Sequence, residues 1–361
     1  MDHAGRLKRL QSALAEKRLD ALLITSLANI RYLCGFTGSA AALVVSRDSS
    51  YFFTDGRYAQ QAREEVQGAK IKVRRKAVLV ATGEWLALAK RPGLKRVGTE
   101  GDHLSLSDGS RLKKMLGPGI RLRQAPPLVE RQRMVKDPEE IARLRRAVLL
   151  GASLFDIALD TIRPGVPEVK VAAEMEYAAR RAGAEGMAFE TIVAAGERSA
   201  LPHGRASNAA IPARGFVVCD FGVILAGYCS DMTRTVFVGR PSVYDRDVYQ
   251  AVREAQNAAV EAVRPGRGVG EVDRAARNVL KKKGLARYFT HSTGHGVGLE
   301  IHESPRVATG QSEILCPGMV ITIEPGAYLQ GRGGVRIEDV VVVTERGCEV
   351  LTPTPKELLT I

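Results

Sequence analysis

Acidic residues interrupt apolar, strand-like runs in the second half of the sequence. Asp220 ends the run FVVCD, and Asp231 begins the run DMTRTVFV, with Gly227 between them. This pattern predicts a β-hairpin that brings the two carboxylates close together. Glu324 and Glu338 repeat the arrangement, because the runs MVITIE and VRIEDVVVVT flank the loop GRGG. We therefore expect two equivalent hairpins and four neighbouring carboxylates.

Four carboxylates inside apolar runs favour a metal site. A single acidic residue in a strand usually lies at a solvated edge, whereas burying an unpaired carboxylate costs several kcal/mol or forces it to bind a proton. Four such groups are tolerated together when cations lie among them. Carboxylate oxygens are hard ligands, which suit Mn²⁺, Co²⁺, Zn²⁺ or Mg²⁺. The pattern therefore predicts divalent metal ions at the hairpins.

Histidines concentrate in the same half of the chain, in the segments LPHGR and HSTGHGVGLEIHE. One neutral imidazole would add a nitrogen ligand to the carboxylates, and the others would carry protons or donate to a substrate near pH 7. The four candidates are His203, His291, His295 and His302. The two remaining histidines, His3 and His103, are predicted to lie at the surface.

The second half also contains an internal repeat. Residues 162–183 match residues 263–284 without a gap, and each copy reads as a Pro-Gly turn followed by an amphipathic helix that ends at Gly. The strand RGFVVCDFG resembles CPGMVITIEPG in the same way. The repeat predicts a duplicated helix–helix–strand–strand unit and a pseudo-two-fold domain. Its active site is expected between the two halves.

The first part of the chain alternates strand-like and helix-like segments. ALLIT, AALVVS and YFFT are typical of short buried strands, and GRYAQQAREEV, TGEWLALAK and LSDGSRLKKML are typical of helices. An amphipathic helix is predicted at the start, with Leu7, Leu10 and Leu14 on one face. The alternation indicates an α/β domain.

A domain boundary is predicted in GPGIRLRQAPPLVERQRMVKDPEE, which is rich in proline, glycine and charge. The predicted domains are residues 1–130 and 131–361. A helix is expected to begin just inside the second domain, because Asp137 can act as its cap, Pro138 suits the first turn and Glu140 can complete a capping box.

The formal net charge is +13, and it is unevenly distributed. Residues 1–136 hold 26 Lys and Arg against 12 Asp and Glu, a net charge of +14, whereas residues 137–361 hold 27 against 28, a net charge of −1. Such a basic region raises nucleic acid or an anionic surface as a partner. The basic runs KIKVRRK and RLKKM lack interleaved aromatic residues for base stacking, so a nucleic-acid-binding or scaffold protein is a remote alternative and no nucleic-acid partner is expected.

A cytoplasmic protein without a membrane segment is expected. No apolar run approaches the roughly 20 residues of a membrane span, and the first residues lack the apolar core of a signal peptide. The five cysteines are odd in number and form no CxxC pair, which argues against a disulfide framework or a cysteine zinc site. Cys219 and Cys229 are predicted to be buried, unreactive thiols.

Taken together and in order, the motifs DFG, SDMTRT, HSTGHGVGLEIHE, ITIEPG and RIEDVV resemble the pita-bread metallopeptidases, over about residues 137–361. That family includes methionine aminopeptidase, aminopeptidase P, prolidase and creatinase. The resemblance implies an α+β pita-bread catalytic domain and a dinuclear metal centre. By motif, its five ligands would be Asp220, Asp231, His295, Glu324 and Glu338. Since all five are present, the resemblance argues against the metal-free members, creatinase and the non-catalytic binding proteins.

The first part resembles the creatinase/prolidase N-terminal domain in GFTGS (35–39) and FTDGRY (53–58). Methionine aminopeptidases lack this domain, so the resemblance leaves the proline-specific enzymes. The leading prediction is a metal-dependent Xaa-Pro aminopeptidase like aminopeptidase P, which TDGRY favours. The alternative is an Xaa-Pro dipeptidase (prolidase) using the same site, which the short chain and HESPRV (302–307) favour equally. A methionine aminopeptidase-like specificity is a third possibility.

The resemblance also implies a mechanism. Two divalent ions, Mn²⁺ first and Co²⁺ or Zn²⁺ as alternatives, would share a hydroxide that attacks the carbonyl of the Xaa-Pro bond. Glu324 would take the hydroxide proton and pass it to the prolyl nitrogen, which is a tertiary amide in the substrate. His203 and His302 would contact the substrate and stabilise the intermediate. The catalytic residues are thus predicted to be Glu324, His203 and His302.

Several side chains are predicted to bind or orient the substrate, a proline-containing peptide. His291 would lie at the proline side, and Arg336 would orient the carboxylates that bind the metal. Arg306 is the candidate for the free carboxylate of a dipeptide, although a surface arginine is an equal alternative. The predicted substrate-binding set is His203, His291, His302, Arg306 and Arg336. By family resemblance, a homodimer or higher homo-oligomer is expected through the N-terminal domain.

Overall fold

The computed structural model describes residues 1–88 and 94–361. These residues divide into two compact units, Met1–Arg133 and Met134–Ile361, and each has its own hydrophobic core. Ala89 and Lys90, which end the predicted helix TGEWLALAK, lie outside the described residues. No helix in the described parts of the chain is long and apolar enough to cross a membrane.

The first unit is built on one six-stranded sheet. Its strands are β1 (Ala21–Ile24), β2 (Ala41–Ser46), β3 (Ser50–Asp55), β4 (Lys70–Arg74), β5 (Arg96–Glu100) and β6 (Arg121–Ala125). The sheet order is β4-β3-β2-β1-β5-β6. The β1/β2 and β2/β3 pairs are antiparallel, and the β3/β4, β1/β5 and β5/β6 pairs are parallel. The mixed sheet confirms the α/β class predicted for this part.

The described residues of the first unit also form six α-helices. They are α1 (His3–Glu16), α2 (Leu27–Cys34), α3 (Ala59–Glu65), α4 (Val78–Leu88), α5 (Leu106–Leu116) and α6 (Leu128–Met134). The helix predicted at the start is confirmed, because Leu7, Leu10 and Leu14 are buried along one face of α1. The surface position predicted for His3 is wrong: His3 is 7% exposed, because α1 packs on α2 and its Nδ1 lies 3.1 Å from the backbone oxygen of Tyr32. His103 is exposed as predicted.

Ordered elements fill most of the segment that was predicted as a boundary. It contains β6 and α6, and the division between the two units follows Arg133, just inside the end of α6. The proline and charge content of this segment is typical of a linker, so the sequence did not predict β6 or α6. Arg121 and Arg123 are exposed on β6, which is an edge strand of the sheet, so charge is compatible with a strand there.

The second unit contains four α-helices and thirteen strands. The helices are α7 (Pro138–Thr161), α8 (Glu168–Arg181), α9 (Val243–Ala262) and α10 (Val269–Lys282). The strands are β7 (Gly186–Met187), β8 (Ile192–Ala195), β9 (Gly215–Phe221), β10 (Val223–Leu225), β11 (Tyr228–Cys229), β12 (Met232–Val238), β13 (Gly294–Gly296), β14 (Glu303–Val307), β15 (Val320–Ile323), β16 (Gly326–Leu329), β17 (Gly333–Arg336), β18 (Asp339–Val343) and β19 (Cys348–Val350). They form sheets ordered β11-β10-β7, β12-β9-β8, β14-β13-β15-β18-β19 and β16-β17.

The predicted start of α7 is confirmed. The Asp137 carboxylate accepts a hydrogen bond from the Glu140 backbone N–H at 2.9 Å, and the Glu140 carboxylate accepts one from the Asp137 N–H at 3.0 Å. Pro138 is the first helical residue. Because both orphan N–H groups are satisfied reciprocally, this box fixes where the second unit's first helix begins.

The internal repeat forms two equivalent helix pairs. α7 packs on α8, and α9 packs on α10. The helices α8 and α10 occupy matching positions in the two copies, and the turn before each contains a glycine with positive φ, Gly165 at 85° and Gly266 at 83°. This left-handed conformation favours glycine, which explains the repeated Pro-Gly signal.

The predicted hairpins are present in an elaborated form. β9 and β12 pair antiparallel, and the chain between them folds into a smaller hairpin, β10–β11. β15 and β18 pair in the same way around the hairpin β16–β17. The sequence therefore predicts the outer pairs correctly and misses the short inner strands.

Each half has a separate cluster of buried side chains. One cluster joins α7 and α8 to β9 and β12, and the other joins α9 and α10 to β15 and β18. Cys219 and Cys229 are buried, as predicted, and burial raises the pKa of the Cys219 thiol to about 12. A thiol with such a pKa is inert at neutral pH.

Candidate metal centre

The five predicted metal ligands come from five different positions in the second unit. Asp220 lies in β9, and Asp231 immediately precedes β12. His295 lies in β13, Glu324 directly follows β15, and Glu338 directly precedes β18. All five line one cleft of about 760 Å³.

Strand pairing explains why the carboxylates meet. In the first half, Asp220 is the Cα partner of Thr233, so Asp231 leaves β12 at the end beside Asp220. In the second half, Ile323 pairs with Asp339, which brings the residues just beyond them to the same end of the sheet. The Glu338 N–H donates to the backbone oxygen of Thr233 at 3.1 Å, which joins the two halves.

Three of the five ligands form a tight cluster. Ligand atoms of Asp231, His295 and Glu338 all lie within 4.8 Å of one another. His295 Nε2 is 3.5 Å from Asp231 Oδ2 and 3.6 Å from Glu324 Oε1. The other ring nitrogen, Nδ1, donates to the backbone oxygen of Gly296 at 3.0 Å, so the Nε2 lone pair faces the carboxylates.

In the absence of bound cations, the carboxylates of this cluster resist ionisation. Burial raises the pKa of Asp231 and Glu338 well above the usual range, and the neighbouring carboxylates raise both further. Burial also raises the pKa of Glu324 to about 8, although Arg336 acts in the opposite direction. Burial lowers the pKa of His295 to about 4, so its imidazole is neutral at pH 7, as a metal ligand must be. Bound divalent cations would supply the missing positive charge.

Asp220 shows the clearest sign of a missing partner. Its Oδ2 accepts a hydrogen bond from Arg336 Nη2, whereas its Oδ1 is buried and has no hydrogen-bond partner among the described residues. A buried carboxylate oxygen without a partner is costly unless a ligand satisfies it. The donor set of four carboxylates and one imidazole therefore fits divalent metal ions.

Two supporting residues were not found from the sequence. The Thr233 hydroxyl donates to Glu338 Oε2 at 2.7 Å and accepts from Arg336 Nε at 3.1 Å. The Tyr328 hydroxyl donates to His291 Nε2 at 2.8 Å and accepts from Arg336 Nη1 at 2.7 Å. Thr233 stands two residues after Asp231 in SDMTRT, so the alternation of the strand could have indicated it; nothing in the sequence singled out Tyr328.

The predicted histidines and arginines line the same cleft. His203 and His302 are exposed, and the His302 ring meets the His295 ring edge to face with centroids 4.4 Å apart. His291 is partly buried, and its Nδ1 donates to the Ser292 backbone oxygen at 2.8 Å. Arg306 is exposed on β14, where its Cα partner is His295, so both side chains lie on one face of the sheet.

Comparison with known proteins identifies the family. Residues 142–345 match the model of metallopeptidase family M24, and residues 6–135 match the creatinase/prolidase N-terminal domain. The chain belongs to metallopeptidase family M24. The predicted fold class, an α/β N-terminal domain followed by a pita-bread domain with an internal repeat, is confirmed. M24 metallopeptidases use divalent metal ions, which agrees with the donor set described above.

Several M24 relatives match along the whole chain. An Xaa-Pro dipeptidase of Pyrococcus furiosus is 38% identical over 98% of this chain and 99% of its own. The structure of an Xaa-Pro dipeptidase from Bacillus anthracis superposes with a TM-score of 0.95 at 40% identity and covers 100% of both chains. An X-Pro aminopeptidase structure from Thermotoga maritima gives a TM-score of 0.89 at 36% identity and covers 98% of this chain and 99% of that one.

A buried ion pair adjoins the candidate ligand Glu338 of this M24 protein. Arg234 Nη2 is 2.7 Å from Asp339 Oδ1, and the two side chains are 2% and 1% exposed. Arg234 Nη1 also donates to the backbone oxygen of Glu338 at 2.6 Å. The pair joins β12 of the first half to β18 of the second, where Asp339 directly follows the candidate ligand Glu338.

Proposed function

We propose that this M24 protein is a metal-dependent Xaa-Pro peptidase, which hydrolyses the bond between an amino-terminal residue and proline. The observation that carries the proposal is the convergence of four carboxylates and one imidazole in a single cleft, with Asp220 Oδ1 left without a partner among the described residues. Full-length relatives named Xaa-Pro dipeptidase and X-Pro aminopeptidase support the substrate class.

The proposed ligands of two divalent ions are the five residues predicted from the sequence: Asp220, Asp231, His295, Glu324 and Glu338. Mn²⁺ is the first candidate, and Co²⁺ and Zn²⁺ are the alternatives, since all three suit mixed oxygen and nitrogen ligands. When bound, such ions lower the pKa of water and polarise the scissile carbonyl.

Glu324 is the proposed proton carrier. Its carboxylate lines the cleft 3.6 Å from His295 Nε2, among the proposed ligands where the attacking water would lie. It takes one proton from that water as the oxygen–carbon bond forms, and it delivers the proton to the prolyl nitrogen as the carbon–nitrogen bond breaks. The products are a free carboxylate and a free prolyl amine.

The histidines hold the substrate in this scheme. His203 and His302, exposed in the cleft, donate to the peptide and to the negative charge that develops on its carbonyl oxygen. His291 is held by Tyr328 and the Ser292 backbone, so it offers a fixed ring at the proline side. Arg336 acts through Asp220, which it orients, rather than through the substrate.

Arg306 favours a dipeptidase over an aminopeptidase. Its exposed guanidinium shares a sheet face with His295, so a short substrate held at the metal centre could extend its terminal carboxylate toward it. An aminopeptidase accepts peptides whose carboxylate lies further away and has less use for this charge. The leading prediction from the sequence, an Xaa-Pro aminopeptidase, keeps the support of the Thermotoga maritima relative.

Hydrolysis of Ala-Pro and Ala-Pro-Ala, each with added Mn²⁺, Co²⁺ or Zn²⁺, tests the proposal. We expect Ala-Pro to be cleaved, and Arg306→Met to lower kcat/KM for Ala-Pro about 10- to 100-fold, with a smaller effect on Ala-Pro-Ala. Arg143→Met on α7, whose half-buried side chain pairs with Glu139 and does not line the cleft, is the matched control and should leave both rates unchanged.

Three outcomes would contradict parts of this account. An equal loss of kcat/KM for Ala-Pro and Ala-Pro-Ala in Arg306→Met would contradict the proposed role of Arg306. Cleavage of Ala-Pro-Ala in preference to Ala-Pro would select the aminopeptidase. Preference for Met-Ala peptides over both would overturn the Xaa-Pro specificity.

Other expectations from the sequence stay predictions. They are the domain limits 1–130 and 131–361, a homodimer or higher homo-oligomer through the N-terminal domain, a cytoplasmic location and the absence of a nucleic-acid partner.

A further inference from the structure

An exposed ion pair lies on the wall of the metal cleft. Arg205 Nε is 2.8 Å from Glu190 Oε2, and both residues line the cleft. Their side chains are 75% and 58% exposed. A pair this open to water contributes little to stability, so its two charges separate easily when another charge competes for either of them.

The pair lies at a fixed spacing from the metal ligands. Arg205 forms a β-bridge with Ile192, and Ile192 is in turn the Cα partner of Asp220. Since neighbouring strands are about 4.8 Å apart, two such steps separate the backbone of Arg205 from that of Asp220 by about 10 Å. This spacing is within the combined length of Arg205 and a long substrate side chain when the substrate's amino-terminal residue lies beside Asp220.

Hydrogen bonds hold the backbone of Arg205 in place. Arg198 Nη2 donates to the backbone oxygen of Arg205 at 2.8 Å, and Arg198 Nε binds the carboxylate of the fully buried Glu168 at 3.0 Å. Ile192, which is the bridge partner of Arg205 and lies two residues after Glu190, is buried. The backbone of Arg205 is therefore anchored, while its charged group lies at the end of an exposed side chain.

The other acidic and basic side chains of the cleft already have tasks or partners. Four of them are the proposed metal ligands, and Arg336 is bonded to Asp220. Glu303 forms a buried ion pair with Lys136 at 3.3 Å, and Arg306 is proposed to bind a terminal carboxylate. Histidines aside, Glu190 and Arg205 are the charged residues left for a substrate side chain among the described residues that line the cleft.

We propose that Glu190 and Arg205 select substrates with a charged residue before proline. The pair opens to receive that side chain: Glu190 binds a lysine or arginine side chain, and Arg205 binds an aspartate or glutamate side chain. The inference rests on the proposed Xaa-Pro peptidase activity and extends it to the class of amino-terminal residue. The cleft would then bind substrate side chains of either charge.

The test compares Lys-Pro, Glu-Pro and Ala-Pro as substrates of the full-length, metal-loaded protein. We expect Glu190→Gln to lower kcat/KM for Lys-Pro relative to Ala-Pro about three- to fivefold and to raise it for Glu-Pro, because Arg205 then lacks its counter-charge. Arg205→Gln should shift both ratios in the opposite direction. In about 1 M NaCl the shifts should shrink, since salt screens exposed charges over a few ångströms.

The control is Glu349→Gln, which breaks an exposed ion pair with Arg145 outside the cleft and should leave all three rates at the wild-type level. Variants that lower all three rates by one common factor, or that leave both ratios unchanged, would overturn the selectivity while Ala-Pro cleavage still upholds the proposed function. A wild-type protein that cleaves none of the three dipeptides would overturn the proposed function and this inference with it.

Discussion

Replacing Asp339 by Asn should destabilise the second unit by about 3–5 kcal/mol, because the change leaves a buried arginine charge without its counter-ion. Asp339 and Arg234 are 1% and 2% exposed, and their side chains meet at 2.7 Å. Asp339 Oδ2 also accepts a hydrogen bond from Gln256 at 2.8 Å and lies 3.2 Å from the Lys356 ammonium. One carboxylate thus balances two cations inside the unit.

The remaining hydrogen bonds of Arg234 place the expected loss toward the lower end of that range. Its guanidinium also donates to four backbone oxygens, which the substitution leaves in place: those of Thr233, Glu338, Thr354 and Pro355. The donors therefore stay satisfied, and the loss comes mainly from the uncompensated charge and from the Asn amide, which replaces one acceptor by a donor.

Urea denaturation followed by far-UV circular dichroism measures this effect. A chelator should be present, because a ligand that binds only the folded state would mask part of the change. The fluorescence of Trp85, the chain's single tryptophan, reports the first unit separately. Glu349→Gln is the control, since its exposed pair with Arg145 should contribute no more than about 1 kcal/mol. An Asp339→Asn loss no larger than the control's would refute the reasoning.

Two further predictions concern residues around the candidate site. Thr233→Val removes the hydroxyl that binds Glu338 Oε2 and should weaken the affinity for divalent metal about 10- to 100-fold. Thr233→Ser keeps a hydroxyl and should retain the wild-type affinity. Isothermal titration calorimetry with Mn²⁺ measures the affinity of each variant, and equal affinities would contradict the role of the hydroxyl. The pKa of Asp273 is lowered, because hydrogen bonds from Arg277, Thr309 and Thr293 outweigh its burial. Its stabilisation should be present above about pH 4 and be lost as the pH falls through the folded pKa, so the difference in Tm between wild type and Asp273→Asn should narrow from pH 6 to pH 3; a constant difference would contradict this.

The sequence predicts the features of this fold that depend on residues close together in the chain. The face of α1 and the cap of α7 follow from spacing and from side-chain type, and both are confirmed. The elements β6 and α6 escaped detection because proline and charge are typical of linkers, although an edge strand also tolerates charge. The burial of His3 cannot be predicted from its neighbours in the chain, because it depends on contact with Tyr32 of α2.

The residues of the candidate site differ in the same way in how far the sequence predicts them. Carboxylates that end apolar runs stood out in the sequence, and the register of two strand pairs explains why they meet. The residues that support them or surround the substrate did not stand out. Tyr328 and the pair Glu190–Arg205 depend on contacts between segments far apart in the chain, and no spacing rule anticipates these.

The five proposed ligands are expected to bind two divalent ions, and hydrolysis is expected to depend on these ions. The most direct test is a titration of chelator-treated protein with Mn²⁺, in which bound metal per chain and Ala-Pro hydrolysis are measured on the same samples. We predict that activity returns as about two ions bind per chain, and that Glu338→Gln loses both the bound metal and the activity. Full hydrolysis by the metal-free protein, or by Glu338→Gln, would contradict the account.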